Sequence, residues 1–174
     1  TISTAISKLI AQSKDWELFV LNRGSKNSVL PDNVRSIVVS DVNNETEVSK
    51  ALNGLSFDCV CDFICFVPSQ IERDYRIFKG KTKQFMFISS ASTYQKPLGN
   101  YVINEGTPLA NPYWQYSRDK IACEDFLMKK YREEQFPITI IRPSHTYDER
   151  SIPLGIKGKN GSWQVVKRML EGKP

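Results

Sequence analysis

Apolar residues along the chain recur with two alternating periods. Ile2, Ile6, Leu9 and Ile10 fall on one face of a helix, and Glu17-Leu-Phe-Val-Leu21, closed by Asn-Arg-Gly, has the length and composition of a strand. Arg35-Ser-Ile-Val-Val39 predicts a second strand, and Asn44 to Leu52 a helix with Asn or Asp caps before it. Phe57 to Val67 is a nearly continuous apolar run, the pattern of a strand buried on both faces. Pro68 suits the first turn of a helix reaching about Phe78, because its missing N–H has no helical partner there. A strand from Gln84 to Ser89, a long connection, a helix from about Tyr113 to Glu134 and a strand from Pro137 to Arg142 complete the alternation. A Gly-rich loop and a last helix near Ser162 to Leu170 follow.

Strands alternating with helices imply right-handed crossovers and an α/β fold with a parallel sheet covered on both faces. Such sheets bind ligands beyond the carboxyl ends of their strands. Chemistry is therefore expected in the loops after Leu21, Val39, Val67, Ser89 and Arg142.

Composition narrows the classes further. With 174 residues, 40% hydrophobic and 25% charged, the chain matches a globular domain with a core of its own. No apolar run approaches the roughly 18 residues of a membrane span, and the first residues lack a signal-peptide layout, so a cytoplasmic protein is the expectation. The net charge of +5 is scattered rather than gathered into a stripe or arm. That disfavours nucleic acid and suits a small phosphate-bearing ligand equally well. Cys59, Cys61 and Cys65 share one parity and are expected on one buried strand face. With a single histidine and no second cysteine cluster, no metal site is expected.

The sharpest chemical signal is Tyr116-Ser-Arg-Asp-Lys120, since positions four apart on a helix place a phenol beside an ammonium. A neighbouring cation favours phenolate, which makes such a tyrosine a candidate acid/base near neutral pH. The spacing alone is common on helix surfaces, and Ser-rich turns are more often caps than sites. Here, however, Phe87-Ile-Ser-Ser-Ala-Ser-Thr-Tyr94 sets several hydroxyls at a strand's carboxyl end, one long loop before the tyrosine helix.

Together, Phe87 to Tyr94, Asn111-Pro-Tyr-Trp-Gln-Tyr-Ser-Arg-Asp-Lys120 and Ile141-Arg-Pro143 resemble, in order and spacing, the extended short-chain dehydrogenase/reductase family of sugar-nucleotide epimerases, dehydratases and reductases. The resemblance covers nearly the whole chain. It implies a Rossmann-like doubly wound parallel sheet, with residues 1–142 as the NAD(P)-binding core and 143–174 as the beginning of a substrate-binding lobe. It makes Tyr116 the acid/base, Lys120 its electrostatic partner and a ligand of the nicotinamide ribose, and Ser90 the hydroxyl that positions the substrate oxygen. Phe66 and Pro143 are expected against the cofactor, and Ser92 and His145 against the substrate; Lys157, Lys159 and Trp163 are weaker substrate candidates. Asp41 resembles an adenine-side aspartate, with a turn cap as the equal alternative. Arg23, at the end of the first recognised strand, can pair with a 2′-phosphate, so NADP is preferred to NAD.

The family's opening strand and Gly-rich phosphate turn are not found ahead of Thr1-Ile-Ser3, so the chain is expected to be part of a longer polypeptide and by itself inactive. The expected reaction is hydride exchange at a carbon of a nucleotide-linked sugar; a homodimer is compatible with the resemblance but not fixed by it. The competing reading is a non-catalytic binding or regulatory module, as in RNA-binding relatives, against which the intact Tyr116 and Lys120 argue.

Overall fold

The computed structural model describes residues 2–25, 27, 30–147 and 163–173. Helix α1 (Ile2–Ala11) precedes β1 (Phe19–Asn22) and β2 (Arg35–Val38), and α2 (Glu45–Ala51) leads to β3 (Val60–Asp62). Helix α3 (Pro68–Phe78) leads to β4 (Phe85–Ile88), and a 3-10 turn at Ala91–Thr93 opens the long connection to α4 (Gln115–Glu134). The order closes with β5 (Ile138–Ile141) and α5 (Trp163–Leu170).

Local chemistry sets several of these boundaries. The Asn44 side chain accepts the Glu47 N–H at 3.1 Å and caps α2, whose first turn carries Glu45 and Glu47 against the positive end of the helix dipole. Pro68 opens α3, and the Gln70 side chain reaches back to accept the Phe66 N–H at 2.6 Å. Helix α4 ends at Gln135, whose φ of 56° turns the chain into β5.

The pairings among these five strands are all parallel. β1 lies on β2 from Phe19↔Arg35 to Asn22↔Val38, β3 on β4 from Val60↔Phe85 to Asp62↔Phe87, and β4 on β5 from Phe85↔Ile138 to Ile88↔Ile141. The strands form two sheets, β1–β2 and β3–β4–β5. No strand among the described residues joins β1 to β3, so the sheet is interrupted where the sequence reading leaves a strand out.

The core lies between β3–β4–β5 and helices α3 and α4. Phe78, Phe85, Phe136 and Tyr75 form an aromatic chain with successive centroids 5.9, 5.4 and 5.1 Å apart. Ile71, Cys65, Cys123 and Leu127 are buried around it. Such offset and edge-to-face pairs add to the burial of large rings and fix how the helices seat on the sheet.

The apolar run from Phe57 to Val67 departs from expectation. Only Val60–Asp62 is strand, and Cys61 is exposed, so this strand is not buried on both faces. Backbone beyond Asp62 is claimed by other partners: the Asp62 carboxylate accepts the Ile64 N–H at 3.1 Å, and the Cys65 carbonyl accepts a lysine. The expected shared cysteine face is accordingly divided. Cys59 and Cys61 share it, with sulfurs 3.9 Å apart, while Cys65 has left the strand and packs in the core.

Candidate functional site

A cavity of about 220 Å³ opens at the carboxyl ends of β4 and β5. Its walls include Phe66, Ser90, Tyr116, Lys120 and Pro143, five of the residues singled out from the sequence. Tyr116 and Lys120 reach it from the first two turns of α4, Ser90 from the exit of β4, Pro143 from the exit of β5, and Phe66 from the turn between β3 and α3. One parallel-sheet principle thus collects them: chain segments leaving adjacent strands converge at the same sheet edge.

Lys120 is the most confined of the group, with 1% of its surface exposed. Its Nζ donates to the carbonyls of Cys65 at 2.5 Å and Ile88 at 2.7 Å, and stands 4.6, 5.0 and 5.8 Å from the ring centroids of Phe87, Phe66 and Tyr116. An ammonium carries three donors, so one remains for a ligand hydroxyl. Burial lowers the lysine's pKa; Cys65, Asp62, Cys123 and Glu124 oppose that shift. Carbonyl dipoles and ring faces solvate the cation where water does not.

Ser90 caps the 3-10 turn, its Oγ accepting the Ser92 N–H at 3.2 Å, and it also lines the cavity. The capping reading of this serine therefore applies, and its position also puts it on the cavity wall. Its neighbour Ser89 is fixed inward, donating to the Glu124 carboxylate. Glu124, 1% exposed, also receives Arg142 Nε at 3.1 and 3.0 Å and Arg142 NH2 at 2.6 Å, while Arg142 NH1 donates to Tyr94 Oη at 3.2 Å. This Ser89, Glu124, Arg142 and Tyr94 network ties α4 to the exits of β4 and β5 and so fixes the cavity's frame. Sequence reasoning missed Glu124, although its spacing of four from Lys120 placed it on the same helical face.

Other expected residues are elsewhere. The Ser92 Oγ accepts from Ser117 Oγ at 3.0 Å, and its carbonyl accepts from Asn111 Nδ2 at 2.7 Å, which anchors the loop to α4 outside the cavity wall. His145 is exposed between two cavity-lining residues, Ser144 and Thr146. Arg23 is exposed at the end of β1, where Asn22 Oδ1 holds the Gly24 N–H at 2.6 Å. Gly24 has a left-handed φ of 79°, and a Cβ at this position would stand only 3.2 Å from the Val38 side chain, so the position suits glycine. Asp41 is exposed and its Oδ1 accepts the Asn43 N–H at 2.9 Å, which is the turn-capping alternative. Lys157 and Lys159 lie outside the described residues; Trp163 is exposed at the start of α5.

A buried acidic group behind Lys120 was not foreseen. Asp62, Cys65 and Asp74 bring ligand-type atoms within 4.8 Å of one another. Cysteine spacing could not reveal it, because its third member comes from α3.

A reading of the cavity as the nicotinamide-ribose end of a dinucleotide fits these residues. A buried ammonium with one donor left, a phenol and a serine hydroxyl suit a ribose and a reacting oxygen. No Gly-rich turn of the kind that cradles a pyrophosphate occurs among the described residues.

The sequence profile of the NAD dependent epimerase/dehydratase family matches residues 2–174. No curated protein sequence matches the chain. Among solved structures, Pal from Bacillus thuringiensis is similar with a TM-score of 0.71 at 18% identity, over 98% of this chain and 61% of that one. UDP-glucuronic acid 4-epimerase from Bacillus cereus, in complex with NAD, gives 0.68 at 19% identity over 99% and 61%. UDP-glucose 4-epimerase from Thermus thermophilus, also in complex with NAD, gives 0.67 at 20% identity over 99% and 60%. These likenesses establish the Rossmann-like fold, and this chain spans about 61% of the length of the first of them. Nothing among them supports the preference for NADP drawn from Arg23; the profile that matches is that of an NAD dependent family.

Proposed function

The chain belongs to the NAD dependent epimerase/dehydratase family, and on that premise we propose that it carries the proton-handling half of an enzyme acting on a nucleotide-linked sugar. The observation that carries this reading is the convergence of Tyr116, Lys120 and Ser90 on one cavity at the strand ends. Residues reached independently from α4 and β4 meet where a parallel sheet binds its ligand.

In this reading Tyr116 exchanges a proton with the substrate hydroxyl, its phenol oxygen serving as base in oxidation and as acid in the reverse step. Lys120, held by two carbonyls, keeps its third N–H for a ribose hydroxyl and supplies positive charge beside the phenol. Ser90 donates a hydrogen bond to the reacting oxygen and orients it. Bound nicotinamide supplies the acceptance and return of a hydride. Phe66 and Pro143 close the cavity on the apolar side.

We read the cofactor as NAD rather than NADP. Arg23 is exposed, and no contact among the described residues fixes its guanidinium, whereas selection of a 2′-phosphate calls for a cation held in place. The nucleotide-sugar class is supported by solved neighbours that are UDP-sugar 4-epimerases. Residues 143–174 are taken as the beginning of the substrate lobe, with His145 and Trp163 the exposed residues nearest to that role.

Titration of the complete polypeptide with NADH and with NADPH, followed by energy transfer from tryptophan to the reduced nicotinamide, tests the cofactor reading. NADH is expected to bind more tightly, with Arg23→Ala changing its affinity less than about threefold. A preference for NADPH that disappears in Arg23→Ala would restore the arginine as a 2′-phosphate ligand. Binding of neither would overturn the dinucleotide reading.

A further inference from the structure

Charged groups behind the cavity are not all matched by contact. Arg142 holds Glu124, and Arg73 holds Asp74, its Nε and NH2 lying 2.8 and 2.9 Å from the two carboxylate oxygens. That leaves two groups of opposite charge. Among the described residues, Lys120 bonds only to carbonyls, and Asp62 uses Oδ1 for the Ile64 N–H while its Oδ2 is buried without a partner.

These two groups share a segment. Asp62 ends β3 and folds the chain back through its bond to Ile64; one residue further on, the Cys65 carbonyl accepts the Lys120 ammonium. Behind Asp62 lies Asp74, close enough for both carboxylates and the Cys65 thiol to sit within 4.8 Å. Arg73 is itself pinned, its NH1 donating to Asn43 Oδ1 at 2.8 Å. Its guanidinium already occupies both oxygens of Asp74, which makes the group a poor metal cradle.

We propose that the Asp62–Asp74 carboxyl pair is the buried countercharge of Lys120, holding that ammonium in its charged form and in its place beside Tyr116. Both aspartates are positioning residues, and the proposal rests on the reading of Tyr116 and Lys120 as the proton-handling group.

Burial raises both carboxyls, Asp74 to about 8, with Asp62 raising Asp74 further; Arg73 opposes both shifts, and the Ile64 N–H, Asp74 and Lys120 oppose the one at Asp62. Two carboxyls so close ionise stepwise, as a pair. The pair keeps a proton through neutral pH and yields it as the solution turns alkaline, the range in which a buried ammonium loses its own. Of the other groups facing Lys120, Glu124 is engaged by Arg142, and the Cys65 thiol is pushed up by Cys123 and by burial and stays neutral. Asp62, coupled to Asp74, is thus the acid that adds negative charge behind the lysine as pH rises.

The test is the pH titration of Lys120 in the complete polypeptide carrying ¹³C-labelled lysine, with the resonance assigned by its loss in Lys120→Arg. Asp62→Asn is expected to lower the Lys120 midpoint by one pH unit or more, a tenfold change in its proton affinity, and to move the alkaline limb of turnover with it. Asp74→Asn shifts the midpoint the same way by less, and Cys61→Ser, on the other face of β3, leaves it unchanged. A folded Asp62→Asn protein with the wild-type midpoint overturns the proposal. If Asp62→Asn does not fold, an unshifted midpoint in folded Asp74→Asn overturns it equally. Stoichiometric Zn²⁺ binding lost in Asp74→Asn would also overturn it, by making the cluster a metal site. If Tyr116→Phe keeps full turnover while Asp62→Asn still shifts Lys120, the countercharge stands and the catalytic reading fails.

Discussion

The β3–β4–β5 sheet and the β1–β2 pair are both short, parallel and Val/Ile/Phe-rich, yet only the first has fully buried strand positions and is in that sense sealed. Phe85 and Phe87 are fully buried under α3 and α4, whereas every residue of β1 is half-buried and β2 is exposed at Arg35, Ser36 and Val38. The difference follows from what each strand meets. Both helices of the larger half bring apolar faces onto the sheet, while α1 buries no residue at all. It also sorts the chemistry. Among the described residues, a lysine stripped of water, as Lys120 is, exists only in the sealed half; the open half carries Arg23 and Asp41, which are exposed and suited at most to recognition.

The largest effect should come from the sealed half. Phe85→Ala is expected to cost about 3–5 kcal/mol of folding stability, since a large buried ring leaves a cavity that its neighbours cannot fill. Val20→Ala in β1, only half-buried, should cost about 1 kcal/mol or less. Urea denaturation of the two variants makes the comparison, and equal losses would show that the halves are equally packed.

A smaller effect is a slope in pH. Asp74, raised to about 8 in the fold, stays protonated where the unfolded chain, near the usual value of about 3.9, has released its proton. The folded state then binds more protons between those limits. Its contribution is fully present below about pH 4 and is lost as pH rises towards about 8, at no more than about 1.4 kcal/mol per pH unit for one proton. Asp74→Asn should flatten the stability profile across that window; a slope identical to wild type would place the titrating proton elsewhere.

Much of this was legible in the sequence because local pattern and global fold agree. Helical spacing at Ile2 to Ile10, Pro68 at a helix start and the alternation from Gln84 to Arg142 all anticipate observed elements. That Tyr116, Lys120 and Ser90 would meet at one strand-end cavity was legible for the same reason, the first two being a helical pair and the third following the end of a clear strand. The run from Phe57 to Val67 misled because periodicity registers apolar character, not the side-chain and lysine bonds that bend the backbone after Asp62. The NADP preference drawn from Arg23 gains no support, because a charge at a strand end does not say whether its guanidinium is held, and the matching profile is that of an NAD dependent family. The network around Glu124 and the Asp62–Asp74 pair stayed hidden because their members come from different elements, and only the packed fold brings them together.

The central claim is that Tyr116, backed by Lys120, moves the proton in this site. It is tested most directly by turnover of UDP-glucose and UDP-glucuronic acid by the complete polypeptide and its Tyr116→Phe variant in the presence of NAD. The account predicts turnover by the parent on at least one of the two and a loss of about 10²- to 10⁴-fold in kcat for the variant, with NADH affinity changed less than about threefold. A Tyr116→Phe protein with undiminished kcat would contradict the assigned role, and a parent silent on both sugars would contradict the substrate class.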